Sequence, residues 1–414
     1  MTRPSSALTP IAEHRRRVVG TARPRVLEDV PLNQAYGQVL AAESRAAYAN
    51  PLFDNSAMDG FAVHAADVRG TGPWRLPVAG DIPAGSPVVD CPAGHAVRVM
   101  TGAPVPEGED IIVVPVEQTD IPAGPREVPD EVTVHEADPS RSHVRPAGGK
   151  HPAGAAVAAP GTVVDAGTLA ALISAGVRTV DIYAAPSVAV ISTGDELVPW
   201  PKQPGASQLP DSNLPMIAAL AAENGAGQVL RLHSGDRGRS LAELLDEASG
   251  CDVIVTTGGI SAGAYDVVRE VVEPMGGSWF GPVAQRPGTP QGMGRWGQAT
   301  LVCLPGNPVA SYVSFHLYVA PLLHALRFGD TTVHARPRIA TVAGPGFRSA
   351  RKGKALVVPV RVDYSGGIPV ATPFSAGAHS SSEVSALTGV DGIAIIDGEA
   401  PAEGAPLNVE LIRP

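Results

Sequence analysis

The stretch Cys251-Asp-Val-Ile-Val-Thr-Thr-Gly-Gly-Ile-Ser-Ala-Gly-Ala-Tyr-Asp266 limits the folds open to this chain more than any other. Val253-Ile-Val255 is a short β-branched run and reads as a buried parallel strand. Thr256 to Gly263 is too rich in glycine and hydroxyls to prolong it. Valines 267, 268, 271 and 272 then return at helical spacing, and Pro274 ends the segment. Strand, glycine-rich loop and helix in that order make a βα unit. Such a loop can turn successive N–H groups toward phosphate or another oxyanion beside a helix N-terminus. Taken alone, it is equally a tight turn with Asp266 as the helix cap.

The surroundings repeat the pattern. Ser187–Ser192, Val229–Leu232 and Ala299–Leu304 read as strands; 213–225, 240–249 and the segment from Pro308 to Arg327 read as helices. This regular alternation predicts a doubly wound α/β domain with a mostly parallel sheet over 186–329. Ligands of such sheets bind outside the carboxyl ends of the strands. Three strands end there in polar or glycine loops: Thr193-Gly-Asp-Glu196, Thr256-Thr-Gly-Gly259 and Leu304-Pro-Gly-Asn307. Three loops converging on one edge, with Glu196, Asp236 and Asp266 nearby, read as a site for an anion and a metal.

Elsewhere the texture differs. Thr9-Pro10 reads as an N-cap and first-turn pair for a helix to about Val19, and Leu32 to about Ala47 reads as a second helix. The run Phe53-Asp-Asn-Ser-Ala-Met-Asp-Gly-Phe61 sets two acids, an Asn and a Ser among apolar anchors, as in a loop held in one shape or an Asx-rich turn. From about 64 to 144, short β-branched runs alternate with Pro/Gly turns and no helical period appears; Thr101 stands at one strand end there. Ala166–Gly176 reads as a helix, and the chain beyond 330 as β-rich. The expected class is therefore α/β plus β. An N-terminal linking domain (1–48 and 145–185) carries an inserted β domain (49–144), and the α/β domain (186–329) precedes a C-terminal β-barrel-like domain (330–414).

Composition excludes several classes. A net charge of -10 argues against nucleic acid or an anionic membrane as a partner, while a few cations and backbone amides can still hold a small anion. The three cysteines, 91, 251 and 303, form no CxxC and read as reduced core thiols of a cytoplasmic protein. No stretch reads as a membrane span of roughly 18 apolar residues. The 11 histidines make no zinc-site spacing. Lysine is confined to Lys150, Lys202, Lys352 and Lys354.

Six segments carry a resemblance. Phe53-Asp-Asn-Ser-Ala-Met-Asp-Gly-Phe-Ala-Val63, Thr101-Gly-Ala103, Ser192-Thr-Gly-Asp-Glu-Leu197, Asp211-Ser-Asn213, Thr257-Gly-Gly-Ile-Ser261 with Asp266, and Leu304-Pro-Gly-Asn-Pro308 come in one order. Together they resemble the molybdopterin molybdenumtransferase family, the bacterial MoeA and gephyrin E-domain group. The resemblance implies a cytoplasmic homodimer acting last in molybdenum cofactor biosynthesis. Its members bind adenylylated molybdopterin, insert molybdate with the help of Mg²⁺ and release AMP. The upstream adenylyltransferase and the recipient molybdoenzymes are the further partners implied. Carried onto this chain, it makes Thr257, Gly258, Gly259, Ser261, Pro305, Gly306 and Asn307 the cofactor-binding set. Glu196, Asp236 and Asp266 become the Mg²⁺ ligands, with Asp59, Thr101 and Arg286 in the reacting site, Asp59 and Thr101 coming from the partner chain.

Two departures from the family pattern stand out. Where it typically reads Pro-Gly-Lys-Pro, this chain has Pro287-Gly-Thr-Pro290; Thr289 donates one hydrogen bond but brings no charge. Where it reads Gly-Glu-Asp, this chain has Gly148-Gly149-Lys150. Lys150 is one candidate for the missing cation; the alternative is a diverged paralogue that binds the pterin nucleotide with weak or no transferase activity. A rival from another class rests on Gly259-Ile-Ser-Ala-Gly263, which matches a nucleophile elbow, with Ser261 as nucleophile and His316 or His379 as its base.

Overall fold

A computed structural model describes residues 7–235, 238–260, 266–330, 337–375 and 384–412. The chain divides into two compact units, Asp29–Asp181 and the combination of Met1–Glu28 with Ile182–Pro414.

The second unit is built on a six-stranded sheet. Gln228–Ser234, Ser187–Thr193, Val253–Thr257 and Ala299–Leu304 run parallel in that spatial order. Successive side chains of a strand point to opposite faces, and here both faces are covered. Val188, Val190, Val253, Val255 and Val302 enter one core with Ile217, Val313 and Leu322; Ala189, Ile191, Ile254 and Leu301 enter the other with Leu241, Leu245 and Val268. That is the doubly wound arrangement, and it explains the continuous apolar character of these strands.

Two antiparallel strands, Pro290–Trp296 and Trp279–Pro282, extend the sheet beyond Ala299–Leu304. The sequence pattern assigns no element to this segment. In the fold the glycines make room for rings: a Cβ on Gly292 would lie 2.4 Å from the Phe280 ring, and one on Gly281 2.6 Å from Trp279.

The segment Pro308–Phe328 is one helix with a π-turn at Phe315–Val319. Its length and apolarity suffice to cross a bilayer, which the sequence reading had not recognised in any stretch, but 94% of the apolar window is buried inside the protein. It is the central core helix. Beyond it, Arg338–Ala343, Ala355–Asp363, Val370–Pro373, Gly392–Ile396 and Pro406–Leu411 close into a five-stranded barrel, since Ala355–Asp363 pairs with both Val370–Pro373 and Gly392–Ile396. Gln285–Arg286 pairs in parallel with Ala355–Leu356 and ties the α/β sheet's last hairpin to the barrel.

The N-terminal helix forms as Ile11–Val19 and sends Val18 and Val19 into the first core. Its start corrects the expected Thr9-Pro10 cap. Pro10 holds the N-cap position with no side-chain cap bond, and Thr9 instead pairs through its backbone, donating to Pro282 O (2.9 Å) and accepting from Ala284 N (2.8 Å).

The Asp29–Asp181 unit contains a five-stranded sheet in the order Ile111–Pro115, Gly60–His64, Ala96–Val99, Trp74–Ile82, Glu131–Val134, with a separate apolar core on each face. Helix Ala166–Ser174 is capped by Asp165, which accepts from Thr168 N at 2.7 Å. The helix expected over Leu32–Ala47 does not form. Only Leu32–Gln34 makes a 3₁₀ turn, followed by short strands at Val39–Leu40 and Ser44–Arg45. Leu32, Ala35, Val39 and Leu40 are buried, so the apolar spacing was real. Gly37, however, stands at φ 76°, and Leu40 N is satisfied by Thr162 O (2.9 Å) rather than by a helical turn.

Candidate active site at the carboxyl edge of the sheet

Register places the four parallel strands' ends side by side: Thr193 opposite Ser234, Ser192 opposite Thr257, and Thr257 opposite Leu304. The three loops singled out in the sequence therefore leave one edge together. They are also packed backbone to backbone. Gly258 N donates to Leu304 O (3.1 Å), and a Cβ on Gly306 would lie 3.2 Å from Gly258 Cα. Gly258 has φ 94°, and a Cβ there would meet Thr193 O at 2.9 Å, so only glycine fits. Thr193, which the sequence reading did not assign to the site, donates through Oγ1 to Thr257 O at 3.2 Å.

Asn307 caps the core helix by accepting from Ala310 N (3.2 Å), and Ser311 Oγ donates to Pro305 O. Asn213 Nδ2 donates to Gly306 O at 2.7 Å. These bonds fix the Pro305-Gly306-Asn307 turn. Behind the edge, four oxygens are buried with no hydrogen-bond partner among the described residues, Asp211 Oδ2, Asn213 Oδ1, Thr256 Oγ1 and Thr257 Oγ1, although His233 Nδ1 lies 3.9 Å from Asp211 Oδ2. Burying an unmet acceptor costs about 1–3 kcal/mol. The edge is therefore suited to a cation or to hydrogen-bond donors.

The expected acids lie along the same edge. The Glu196 carboxylate folds back over Gly194, where a Cβ would come within 2.5 Å of Oε2. Asp195 is laid over Gly235 in the same way, 2.4 Å from the place of a Cβ. Asp266 holds the N-cap position of helix Val267–Val272, whose six residues offer a shorter dipole than the sequence suggested. Among the described residues no three His, Cys, Asp or Glu side chains gather closely enough to hold a metal ion. Asp236, the third expected ligand, and Ser261 of the glycine loop lie outside the described residues. Glu196 and Asp266 are hard oxygen donors of the kind Mg²⁺ prefers, but the described side chains do not by themselves converge on a metal site.

A cavity of about 520 Å³ opens beside the Pro305-Gly306-Asn307 turn. Its other walls are the Arg286–Pro290 loop and the barrel turn Arg351–Lys354. Arg286, Arg351, Lys352 and Lys354 line it, and among the described residues no carboxylate does. A smaller hollow of about 240 Å³ shares Arg286, Arg351 and Lys354 and adds Arg348. Lys354 Nζ donates to Thr289 Oγ1 at 3.0 Å, and Thr289 in turn donates to Gln285 O at 2.9 Å. The position that lacks a loop lysine thus has a lysine beside it, supplied by the barrel. The sequence reading did not assign Lys352 or Lys354 to the site; the signal for them was that two of the four lysines share this one turn.

The cationic loop is held from behind by a buried network. Gln285 Nε2 donates to Pro287 O (3.0 Å) and Ser314 Oγ (3.1 Å); Gln291 Nε2 donates to Gly288 O (2.7 Å) and Ser314 Oγ (2.8 Å). Tyr318 donates to Gln285 Oε1.

In the Asp29–Asp181 unit, Asp59 and Thr101 are hydrogen-bonded to each other. Asp59 Oδ1 accepts from both Thr101 N and Thr101 Oγ1, at 2.7 Å each. The backbone N–H, and after it the hydroxyl, hold this carboxyl below the usual range. For the hydrolase reading, His316 is buried in the core helix, edge-on to Tyr312 and Phe315, while His379, like Ser261, lies outside the described residues.

Residues 9–176 match the MoeA N-terminal region (domains I and II), and residues 189–325 match a probable molybdopterin binding domain. The chain is 36% identical over 397 residues to molybdopterin molybdenumtransferase 2 of Mycobacterium tuberculosis, covering 92% of this chain and 94% of that one. With the molybdopterin molybdenumtransferase of Bacillus subtilis it shares 31% over 380 residues, 87% of each. A solved structure of the molybdopterin biosynthesis MoeA protein from Pyrococcus horikosii superposes with a TM-score of 0.83 at 26% identity, over 98% of this chain and all of that one.

Proposed function

The chain belongs to the molybdopterin molybdenumtransferase family, and we propose that it inserts molybdate into adenylylated molybdopterin with release of AMP. It is a transferase of molybdenum cofactor biosynthesis. The substrate form, the Mg²⁺ dependence and the homodimeric assembly are the finer parts of this reading.

One observation carries it: a cavity lined by four cations and, among the described residues, by no carboxylate, in a chain of net charge -10, set beside the Pro305-Gly306-Asn307 loop of the sheet edge. Molybdate is a tetrahedral dianion and suits the Arg286, Arg351, Lys352 and Lys354 cluster. Lys354, held by Thr289, supplies the charge that the loop does not. Thr257 and Gly258 shape the loop, with Gly258 N spent on Leu304 O and the Thr257 hydroxyl buried, and Gly259 with the Pro305-Gly306-Asn307 turn would form the wall that meets a phosphate. Glu196, Asp266 and Asp236 would hold Mg²⁺, which when bound neutralises phosphoryl charge as AMP departs. Asp59 stays ionised and can orient a donor group of the substrate.

AMP release from adenylylated molybdopterin, with Mg²⁺ and molybdate each present or omitted, tests the reading. Release that requires molybdate is expected. Lys354→Gln should raise the molybdate needed for half-maximal rate roughly tenfold or more, since hydrogen bonds to charged groups contribute about 1.5–3 kcal/mol, and Lys354→Arg should restore most of it. Binding without release would make this a diverged paralogue, for which Thr289 is the sequence-level argument. Neither binding nor release would refute the reading.

A further inference from the structure

The buried network behind the cationic loop continues away from the cavity and ends on an irregular turn of the core helix. Helix Pro308–Phe328 widens to a π-turn at Phe315–Val319, a distortion that is rare in helices and frequent at functional sites. Tyr318 stands in that turn and is fully buried. Its hydroxyl donates to Gln285 Oε1, and burial pushes its pKa upward, so it stays a neutral donor.

Helix Ile11–Val19 locks the turn from its other side. Arg15 Nε donates to Leu317 O at 2.9 Å, and Arg15 Nη2 reaches Glu410 Oε2 at 3.4 Å. The other oxygen of Glu410 accepts from Arg338 Nη2 at 2.6 Å, so the turn is tied to the barrel as well. The His14 ring packs edge-on to Tyr318, with centroids 4.5 Å apart, and lies 4.9 Å from Trp279. Burial lowers the His14 pKa to about 3, and neither ring nitrogen has a hydrogen-bond partner among the described residues, so it packs as a neutral ring. The Tyr318 ring and hydroxyl are thereby each held in one place.

Gln285 carries that placement to the loop. With Oε1 taken by Tyr318, Nε2 is turned to Pro287 O and Ser314 Oγ. The backbone of the same residue reaches the far side of the cavity: Gln285 O accepts from Thr289 Oγ1, which accepts from Lys354 Nζ. Gln285 is thus joined to the residue after Arg286 and to the hydroxyl that seats Lys354, two cations that must meet one anion. We infer that Tyr318 is a positioning residue of the oxyanion site, setting the spacing of Arg286 and Lys354 through Gln285. It does not itself line the cavity. That the anion is molybdate rests on the proposed function; the hydrogen-bond path does not.

Tyr318→Phe removes the hydroxyl and keeps the ring against His14. Molybdate binding to the full chain is read by titration calorimetry, and KM for molybdate and for adenylylated molybdopterin are read separately from AMP release. Tyr318→Phe should weaken molybdate binding about tenfold, raise KM for molybdate to match and leave KM for the pterin nucleotide unchanged. It should also melt lower, because Gln285 Oε1 is left buried and unmet. The double variant Tyr318→Phe with Gln285→Leu separates the two effects. Replacing both partners by apolar groups should restore the melting temperature, while molybdate binding stays about tenfold weaker or worse. Affinity that returns with stability would mean packing alone and overturns the inference. So does a Tyr318→Phe protein that binds molybdate as the wild type does, or a wild type that binds none. If Tyr318→Phe does not fold, the double variant decides, and wild-type affinity in it overturns the inference. Molybdate-dependent AMP release that Tyr318→Phe leaves untouched would sink this inference alone; molybdate binding that depends on Tyr318 without AMP release would sink the proposed reaction alone.

Discussion

Thr101 spends both of its donors on one oxygen of Asp59, and that asymmetry has a measurable consequence. A carboxyl held below its usual range in the folded protein contributes stability above its unfolded pKa and loses it as pH falls through the folded value. Thr101→Val removes the hydroxyl donor and keeps the backbone one. The Asp59 titration, followed by carbon-13 NMR of its carboxyl, should move upward toward the ordinary value near about 4. An unmoved titration would assign the depression to the backbone N–H alone. At this scale glycines 258 and 259 stood out by residue type as a candidate oxyanion loop, whereas Asp59, Thr101 and Arg286 entered the candidate site only through the family resemblance. Lys354 did not. It reaches Thr289 only because Gln285–Arg286 pairs with Ala355–Leu356, a contact between distant segments that no local pattern announces.

Elements read well where one physical signal dominates. The four parallel strands and the helices between them carry uninterrupted apolar faces, and period alone locates them. Leu32–Ala47 failed because its apolar spacing suits a helix while Gly37 sits at positive φ, so those residues are buried by strand pairing instead. Strands 279–282 and 290–296 carried no signal in the sequence; Gly281 and Gly292 make room there for the Trp279 and Phe280 rings, a reason that exists only in three dimensions. The same kind of reason governs the cationic loop. Gly288 has φ 86°, and a Cβ there would stand 2.9 Å from Gln285 Nε2 and 3.0 Å from Ser314 Oγ. Gly288→Ala must therefore strain the backbone by about 1–2 kcal/mol and push the Gln285–Ser314–Gln291 network off the loop it holds. Thermal melting should show a loss of roughly 2 kcal/mol or more, together with a weaker response to molybdate. An alanine variant that melts like the wild type would mean the network yields without cost.

The molecule as a whole keeps its two larger cavities in separately cored units. The cationic cavity belongs wholly to the unit containing the parallel sheet and the barrel, and the cavity lined by Arg98 and Asp59 wholly to Asp29–Asp181. The latter is a continuous stretch of chain whose ends meet: Leu32 N donates to Arg178 O (2.9 Å), and Asp29 N to Asp181 Oδ1 (3.0 Å). Its sheet buries one apolar cluster around Phe61, Val114 and Val134 and another around Ile82, Val97 and Val113. Both clusters draw only on residues inside the segment, so their burial does not depend on the rest of the chain. Residues 26–183 expressed alone should therefore give dispersed amide resonances and a single cooperative melt. The flanks of the other unit also lie together, with Ala184 N bonded to Arg25 O at 2.8 Å, so a short glycine linker replacing 29–181 should leave the sheet and barrel folded. A segment that gives collapsed resonances or no cooperative melt would show instead that its two apolar clusters need the rest of the chain to stay buried.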